Sequence, residues 1–276
     1  MKIVSNITEL KAIIAAQKKN GVNIALVPTM GNLHDGHLSL VKKAKEDKNF
    51  VVVSIFVNPI QFGPNEDFNN YPRTLEADIE KIQQYCDVVF APTVSDMYAE
   101  GSSILVAETE KSKKLCGRFR EGHFDGVLTV VLKLFNICTP DVAYFGLKDY
   151  QQFVLLNDMV LKLNLKIKMV GCPLIREKNG LAMSSRNSYM NVVQRNRALA
   201  LSGSLNKVKE VFNSGATDVT HLKSKALEVL LPKVELQYFE IIDAESFEAV
   251  KTAAKGNLVA VAAFCDEVRL IDNIIL

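Results

Sequence analysis

The chain of 276 residues has only four histidines and five cysteines, and its charges nearly cancel at a net +2. It has no long Lys/Arg run and no interleaving of basic with aromatic residues, so it carries no electrostatic footprint for nucleic acid. Small-molecule partners are expected instead. Cys86, Cys116, Cys138, Cys172 and Cys265 are scattered, odd in number and contain no Cys-x-x-Cys pair. That pattern argues against a disulfide framework and a zinc site, and suits a reducing cytoplasm. Apolar runs are short: Phe50–Val57, with Ser54 within it, and Leu258–Cys265 are the longest, far below the roughly 20 residues that span a bilayer. Glu9, Lys11, Lys18 and Lys19 interrupt the start of the chain, so no signal-peptide core is expected there. No repeat or low-complexity tract is visible. What remains is a globular composition, 48% hydrophobic and 23% charged, expected to give a soluble, cytoplasmic protein with a sizeable core.

Half of the histidines sit in one stretch, Pro28-Thr29-Met30-Gly31-Asn32-Leu33-His34-Asp35-Gly36-His37. The apolar run Asn23–Val27 before it reads as a buried strand, and Leu38, Leu40 and Val41 after it open a helix. A strand that turns through a glycine loop into a helix presents unpaired backbone N–H groups and a positive helix end, which suits a phosphate. Each imidazole adds an N–H donor. Chance places His-x-Gly-His in about 0.3% of shuffled chains of this composition. The plainer reading makes His34 a helix cap and His37 a half-buried core residue.

Asn6 with Glu9 resembles a capping box for a helix with Ile7, Leu10, Ile13 and Ile14 on one face, ending near Gly21. Phe50–Val57 has the continuous apolar character of a strand covered on both faces, and Pro59 ends it. Residues 58–73, rich in Asn, Pro and Gly, form a long loop of the kind that tends to be functional. Beyond it the pattern predicts a helix at Leu75, Ile79 and Ile82, strands at Asp87–Ala91 and Ile104–Ala107, and a helix over Val127–Ile137. A strand at Val142–Phe145, a helix over Phe153–Leu163 and a strand at Lys166–Val170 follow. Such alternation predicts a doubly wound parallel sheet, Rossmann-like, with ligands at the carboxyl ends of its strands.

After Val170 the texture changes. Cys172–Ile175 and Leu181–Met183 read as a hairpin around Asn179-Gly180. Val192–Phe212 and Val219–Leu231 read as helices, the second stopped by Pro232. Glu235–Ile242, Leu258–Phe264 and Val268–Ile274 read as strands around a short helix. The fold class is therefore α/β: a nucleotide-binding domain over residues 1–175, then a smaller α+β domain over 176–276, with the boundary near Ile175–Glu177.

Four further clusters carry polar chemistry. In Gly146-Leu147-Lys148-Asp149-Tyr150-Gln151-Gln152, Lys148 can place a charge on a phosphate, Asp149 can accept ribose hydroxyls and Gln152 can bond an acid substrate. A solvated Lys–Asp pair is the plainer reading. Met183-Ser184-Ser185-Arg186-Asn187 offers two hydroxyls and a guanidinium fork for a leaving pyrophosphate, or simply a helix cap. Asn58-Pro59-Ile60-Gln61-Phe62 offers amides beside an aromatic wall. Arg118, Phe119, Arg120, Gly122 and His123 form a basic patch before a helix.

Together, Met30–His37, Phe56–Phe62, Arg120–Phe124, Gly146–Gln152 and Met183–Asn187 resemble pantothenate synthetase (pantoate–β-alanine ligase), an HxGH nucleotidyltransferase-like family, in order and spacing from about Thr29 to Asn191. Leu147 departs from the family pattern, which usually has Glu in Gly-Glu-Lys-Asp. The resemblance implies ATP-dependent condensation of (R)-pantoate with β-alanine through a pantoyl adenylate, with Mg²⁺. By the same resemblance, Met30, Gly31, Asn32, Leu33, His34, Asp35, Gly36 and His37 line the ATP site, with His37 the proton donor. Gly146, Leu147, Lys148, Asp149, Ile175 (through its backbone), Met183, Ser184, Ser185 and Arg186 complete that site. Gln61 meets pantoate and β-alanine, Gln152 meets pantoate, and Asn58 and Arg120 contribute at second rank. His34, His37, Lys148, Ser184, Ser185 and Arg186 neutralise charge during catalysis. The metal ligands stay open, residues 176–276 are expected to act as a lid, and a homodimer is expected. A transferase that keeps AMP on its product, a tRNA synthetase relative and an ATP sensor without turnover are the alternatives at this point.

Overall fold

The computed structural model describes residues 1–64, 66–99, 104–231 and 233–276. Asn65 in the long loop and the expected helix stop at Pro232 lie outside the described residues. The chain divides into two compact units: residues 1–113, 117–147 and 151–173 form the first, and 114–116, 148–150 and 174–276 the second.

In the first unit the elements run β1 (Lys2–Val4), α1 (Ile7–Lys19), β2 (Ile24–Thr29), α2 (Asp35–Glu46), β3 (Phe50–Ile55), α3 (Leu75–Ile82) and β4 (Val88–Phe90). They continue with α4 (Val94–Met97), α5 (His123–Cys138), β5 (Val142–Gly146), α6 (Tyr150–Lys162) and β6 (Lys168–Cys172). The six strands pair in parallel in the order β1-β4-β3-β2-β5-β6. Parallel strands need helices on both faces, and the side-chain alternation supplies two apolar surfaces. Ala25, Val27, Val51, Val53, Val89 and Tyr144 pack with Leu40, Val41 and Ala44 of α2 and with Ile82 of α3. Ile24, Leu26 and Val52 alternate with them and are equally buried. Carboxylates tie down the amino ends of the strands: Asp141 accepts from Ile24 N–H at 2.8 Å and Asp87 from Val51 N–H at 2.8 Å. From β2 the chain first adds strands on one side and later, with β5, on the other. The crevice rule for such sheets therefore points to the carboxyl ends of β2 and β5.

The structure departs from the sequence reading at three places, each for an identifiable reason. Ile104–Ala107 is irregular and pairs with no strand among the described residues: Val106 N–H donates to the Thr129 hydroxyl at 2.8 Å, and Ile104 is 83% exposed. The edge position beside β4 belongs instead to β1, three residues too short to show a period. Pro59 opens a 3₁₀ turn, Pro59–Gln61, at a helix-start position that lacks nothing when its N–H is missing.

The second unit holds α7 (Val192–Asn213), α8 (Val219–Leu230) and an antiparallel sheet β7 (Glu235–Ile242), β8 (Leu258–Cys265), β9 (Val268–Ile275), in that order. Leu201, Leu205 and Val208 of α7 and Leu222, Ala226 and Leu230 of α8 close over Phe239, Ile241, Val259, Val261 and Ala263. The short helix expected between β7 and β8 is absent; residues 243–257 are turns, with Phe247 at φ 56°. The expected hairpin is a single bridge, Arg176 to Ala182. Gly180 alone takes positive φ in its turn, 97°, while Asn179 uses its side-chain oxygen to accept Leu181 N–H at 3.1 Å. A two-residue turn with both positions left-handed is thus not formed.

Arg176 forks onto Asp272 of β9 at 2.7 and 3.0 Å, and the carboxylate is 2% exposed. Burial raises the Asp272 pKa above the ordinary carboxylate value, against the Arg176 hydrogen bond and charge. A carboxyl with a raised folded pKa loses stability as pH climbs through that pKa, because the unfolded chain releases its proton first. Arg176→Met therefore costs about 3–5 kcal/mol near neutral pH, by leaving a buried carboxylate unpaired. Urea unfolding should show part of that loss recovered as the pH is lowered, because burial raises the Asp272 pKa and the stranded carboxyl then takes up a proton.

Candidate active site

Residues 30–37 leave the carboxyl end of β2 with two successive left-handed positions, Gly31 at φ 83° and Asn32 at φ 49°. The sequence predicts unpaired backbone N–H groups here, and the structure corrects that. Gly31 N–H points to the Thr29 hydroxyl at 3.3 Å. Asn32 and Leu33 N–H donate to the two carboxylate oxygens of Asp78, at 2.9 and 2.7 Å. His34 N–H donates to His37 Nδ1 at 3.4 Å, and Gly36 N–H to His34 Nδ1 at 3.1 Å. Peptide groups turned inward must be paired, and here Asp78 of α3, Thr29 and the two imidazoles pair them.

Of the two readings of the histidines, the structure bears out the cap. His34 is the N-cap of α2, and His37 caps back onto it in a reciprocal box. Their rings lie 4.1 Å apart. In each ring Nδ1 accepts a backbone N–H, so the proton of the neutral imidazole sits on Nε2. The caps thereby set both histidines as Nε2–H donors at a positive helix end. Asp35, in the first helical turn, is exposed.

The turn after β3 is seated on α5. Gly126 makes the close approach possible: a Cβ there would meet Ile60 O at 2.5 Å and Gln61 N and Cα at 2.6 Å. Asn58, 1% exposed, donates to Gly126 O and to Gln61 Oε1, each at 3.1 Å. It accepts from the Tyr98 hydroxyl at 2.7 Å, whose pKa burial pushes up to about 12. Gln61 Nε2 reaches Met30 Sδ at 2.8 Å, so the two loops meet at the same sheet edge. Arg120 is held by Glu66 at 2.6 Å through both Nε and Nη2, and its Nη1 lies 2.9 Å from His123 Nε2. Since guanidinium only donates, His123 Nε2 accepts and Nδ1–H donates to Gln61 O at 2.7 Å. Burial pushes the Glu66 carboxyl up, but Arg120's hydrogen bonds and charge outweigh it and hold the pKa below the ordinary value.

Gln152 is half-buried in the first turn of α6, while its neighbour Gln151 is buried and donates to Lys111 O at 2.9 Å. Gly146 ends β5. Leu147, at the family's Glu position, lies over β6: a Cβ on Gly171 would meet Leu147 Cδ2 at 2.7 Å.

In the second unit, Lys148 and Asp149 lie 3.8 Å apart, and Asn273 of β9 donates to Lys148 O at 2.8 Å. Ile175 O accepts Met183 N–H at 3.0 Å. Ser184 caps the 3₁₀ turn Ser185–Tyr189, its hydroxyl accepting Arg186 N–H at 3.3 Å. Behind them Asn187 donates to Glu177 and to Ala182 O, both at 3.0 Å, and Arg195 clamps Glu177 at 2.5 Å and Asn187 O at 3.0 Å.

Residues 2–275 match the family described as pantoate-beta-alanine ligase. The chain belongs to that family. It is 50% identical over 278 residues to the pantothenate synthetase of Fervidobacterium nodosum, covering 100% of this chain and 99% of the relative. The crystal structure of pantothenate synthetase from Thermus thermophilus superposes with a TM-score of 0.93 at 40% identity, covering 99% of each chain. Pantoate-beta-alanine ligase from Francisella tularensis, solved with beta-gamma ATP and beta-alanine, gives 0.81 at 35% identity over 100% of this chain and 97% of that one. This ligase therefore joins pantoate to β-alanine in an ATP-dependent reaction.

The supports under the site were missed at the level of sequence: Asp78, Glu66, Tyr98 and Gly126. Asp78 alone left a signal. It shares the 75, 79, 82 face of α3 with apolar residues, an acid where the period calls for the core. Gly126→Ala must push the Pro59–Gln61 backbone off α5. The expected cost is about 1–3 kcal/mol in urea unfolding, and kcat/KM for pantothenate formation should fall by about a hundredfold as Gln61 shifts.

Proposed function

We propose that this ligase works through a pantoyl adenylate, with residues 30–37 and Gln61 as its working core. A carboxylate oxygen of pantoate attacks the α-phosphorus of ATP as the bond to pyrophosphate breaks. The β-alanine amine then attacks the acyl carbon, loses its proton and expels AMP. The observation that supports this reading is the pair of adjacent imidazoles whose Nδ1 atoms are engaged in capping α2. Two Nε2–H donors at a helix N-terminus suit the charge that shifts onto the pyrophosphate, and they are preorganised by the fold.

In this reading Gln61, steered by Asn58 and Met30, orients pantoate and then β-alanine, and Gln152 holds pantoate. Arg120 acts at one remove, since Glu66 already engages its charge. Gly146, Leu147, Lys148, Asp149 and the Ile175 backbone serve the nucleotide. Met183, Ser184, Ser185 and Arg186 serve it during turnover, with residues 176–276 as the lid. Among the described residues no three His, Cys, Asp or Glu side chains gather to hold a metal. Mg²⁺ is proposed to accompany ATP, and when bound it would supply charge neutralisation at the phosphates. We extend the proposal to a cytoplasmic homodimer. No helix among the described residues is long and apolar enough to cross a membrane.

Product analysis tests the route. Pyrophosphate should appear with ATP and pantoate alone, and AMP with pantothenate only once β-alanine is added. Carboxylate-¹⁸O pantoate should deliver one label to AMP; unlabelled AMP overturns the adenylate. His37→Ala should lower kcat/KM by about a hundredfold, the loss expected of one preorganised donor worth about 3 kcal/mol. A fully active variant removes His37 from the assignment.

A further inference from the structure

Asp78 is fully buried, at 0% exposure, and takes no part in the chemistry just described. It sits in the first turns of α3, yet its carboxylate does not cap that helix from outside. It faces the loop after β2, with one oxygen on Leu33 N–H and the other on Asn32 N–H. Thr74 donates its hydroxyl to the second oxygen at 3.1 Å. The approach is so close that a Cβ on Gly31 would stand 3.1 Å from that oxygen. One turn on, Lys81 Nζ donates to Leu33 O at 2.6 Å. Helix α3 thus grips the peptide groups on both sides of Leu33, immediately before His34.

We propose that Asp78, seconded by Lys81, is the positioning residue for the nucleotide loop, an inference that rests on the reading of residues 30–37 as the ATP site. Its carboxylate removes the backbone donors of Asn32 and Leu33 from the ligand's reach and fixes the left-handed pair Gly31-Asn32. The phosphates then meet the imidazoles rather than the peptide groups. An acid beneath a phosphate site is otherwise unfavourable, by like-charge repulsion, and its two backbone bonds give it a reason to be there. An amide cannot replace it: Asn has one acceptor oxygen, and its NH₂ would confront a peptide N–H.

The test measures Asp78→Asn and Lys81→Met beside His37→Ala, each with full kinetics for ATP, pantoate and β-alanine and with ligand-free melting. We expect Asp78→Asn to raise KM for ATP by about tenfold and to slow pantoate-dependent pyrophosphate release, with KM for β-alanine nearly unchanged. Lys81 is at the surface, so Lys81→Met should fold and should show the same split at a few-fold size. A lowered melting point with wild-type KM for ATP and wild-type kcat in both variants, while His37→Ala is crippled, overturns the role of Asp78 alone. Wild-type kinetics in all three overturns the ATP-site reading and the inference with it. If Asp78→Asn does not fold, the ATP-specific split in Lys81→Met decides: its presence supports the inference and its absence overturns it.

Discussion

A peptide N–H that leaves a sheet and turns inward must find an acceptor, and the site depends on how this is met beyond Thr29. The cost of leaving such a group unpaired is about 1–3 kcal/mol, and the loop carries several of them in close succession. Asp78, Thr29 and the two imidazoles share the task. Because imidazole has two nitrogens, satisfying the backbone with one dictates the proton on the other. On the proposed reading of the histidines as phosphate donors, chain pairing and ligand chemistry are one problem with one solution. The histidines are not placed on a finished scaffold; they are part of what finishes it.

The same economy governs the turn that carries Gln61. Its backbone carbonyl accepts from His123, which is itself oriented by Arg120, and Arg120 by Glu66. Each group in that chain has its donor or acceptor role settled by its neighbour, so only one arrangement satisfies all of them. Gly126 supplies the missing side chain that lets the turn lie directly on α5.

How far the sequence spoke for the structure follows from how each feature is encoded. β2, β3, α3, α7 and the three strands of the final sheet have strong periods or long apolar runs, and they lie where the pattern puts them. β1 and the irregular stretch from Ile104 differ because a three-residue edge strand has no period, whereas an exposed Ile-Leu-Val run mimics one. The residues proposed for the site were visible as motifs. Their supports were not, since a hydrogen bond from residue 33 to residue 78 leaves no local trace. The expectation of open backbone donors failed for the same reason: the acceptor lies far along the chain.

All five cysteines are buried, and burial pushes the thiols of Cys86 and Cys138 up to about 12. Thiolate, not thiol, reacts with alkylating reagents, so the native chain is expected to be quiet toward maleimides. An exposed serine in either unit, Ser95 or Ser188 for instance, could then be replaced by cysteine and dye-labelled without first stripping out the natural thiols. That makes the protein a convenient subject for asking, by fluorescence, whether the proposed lid closes.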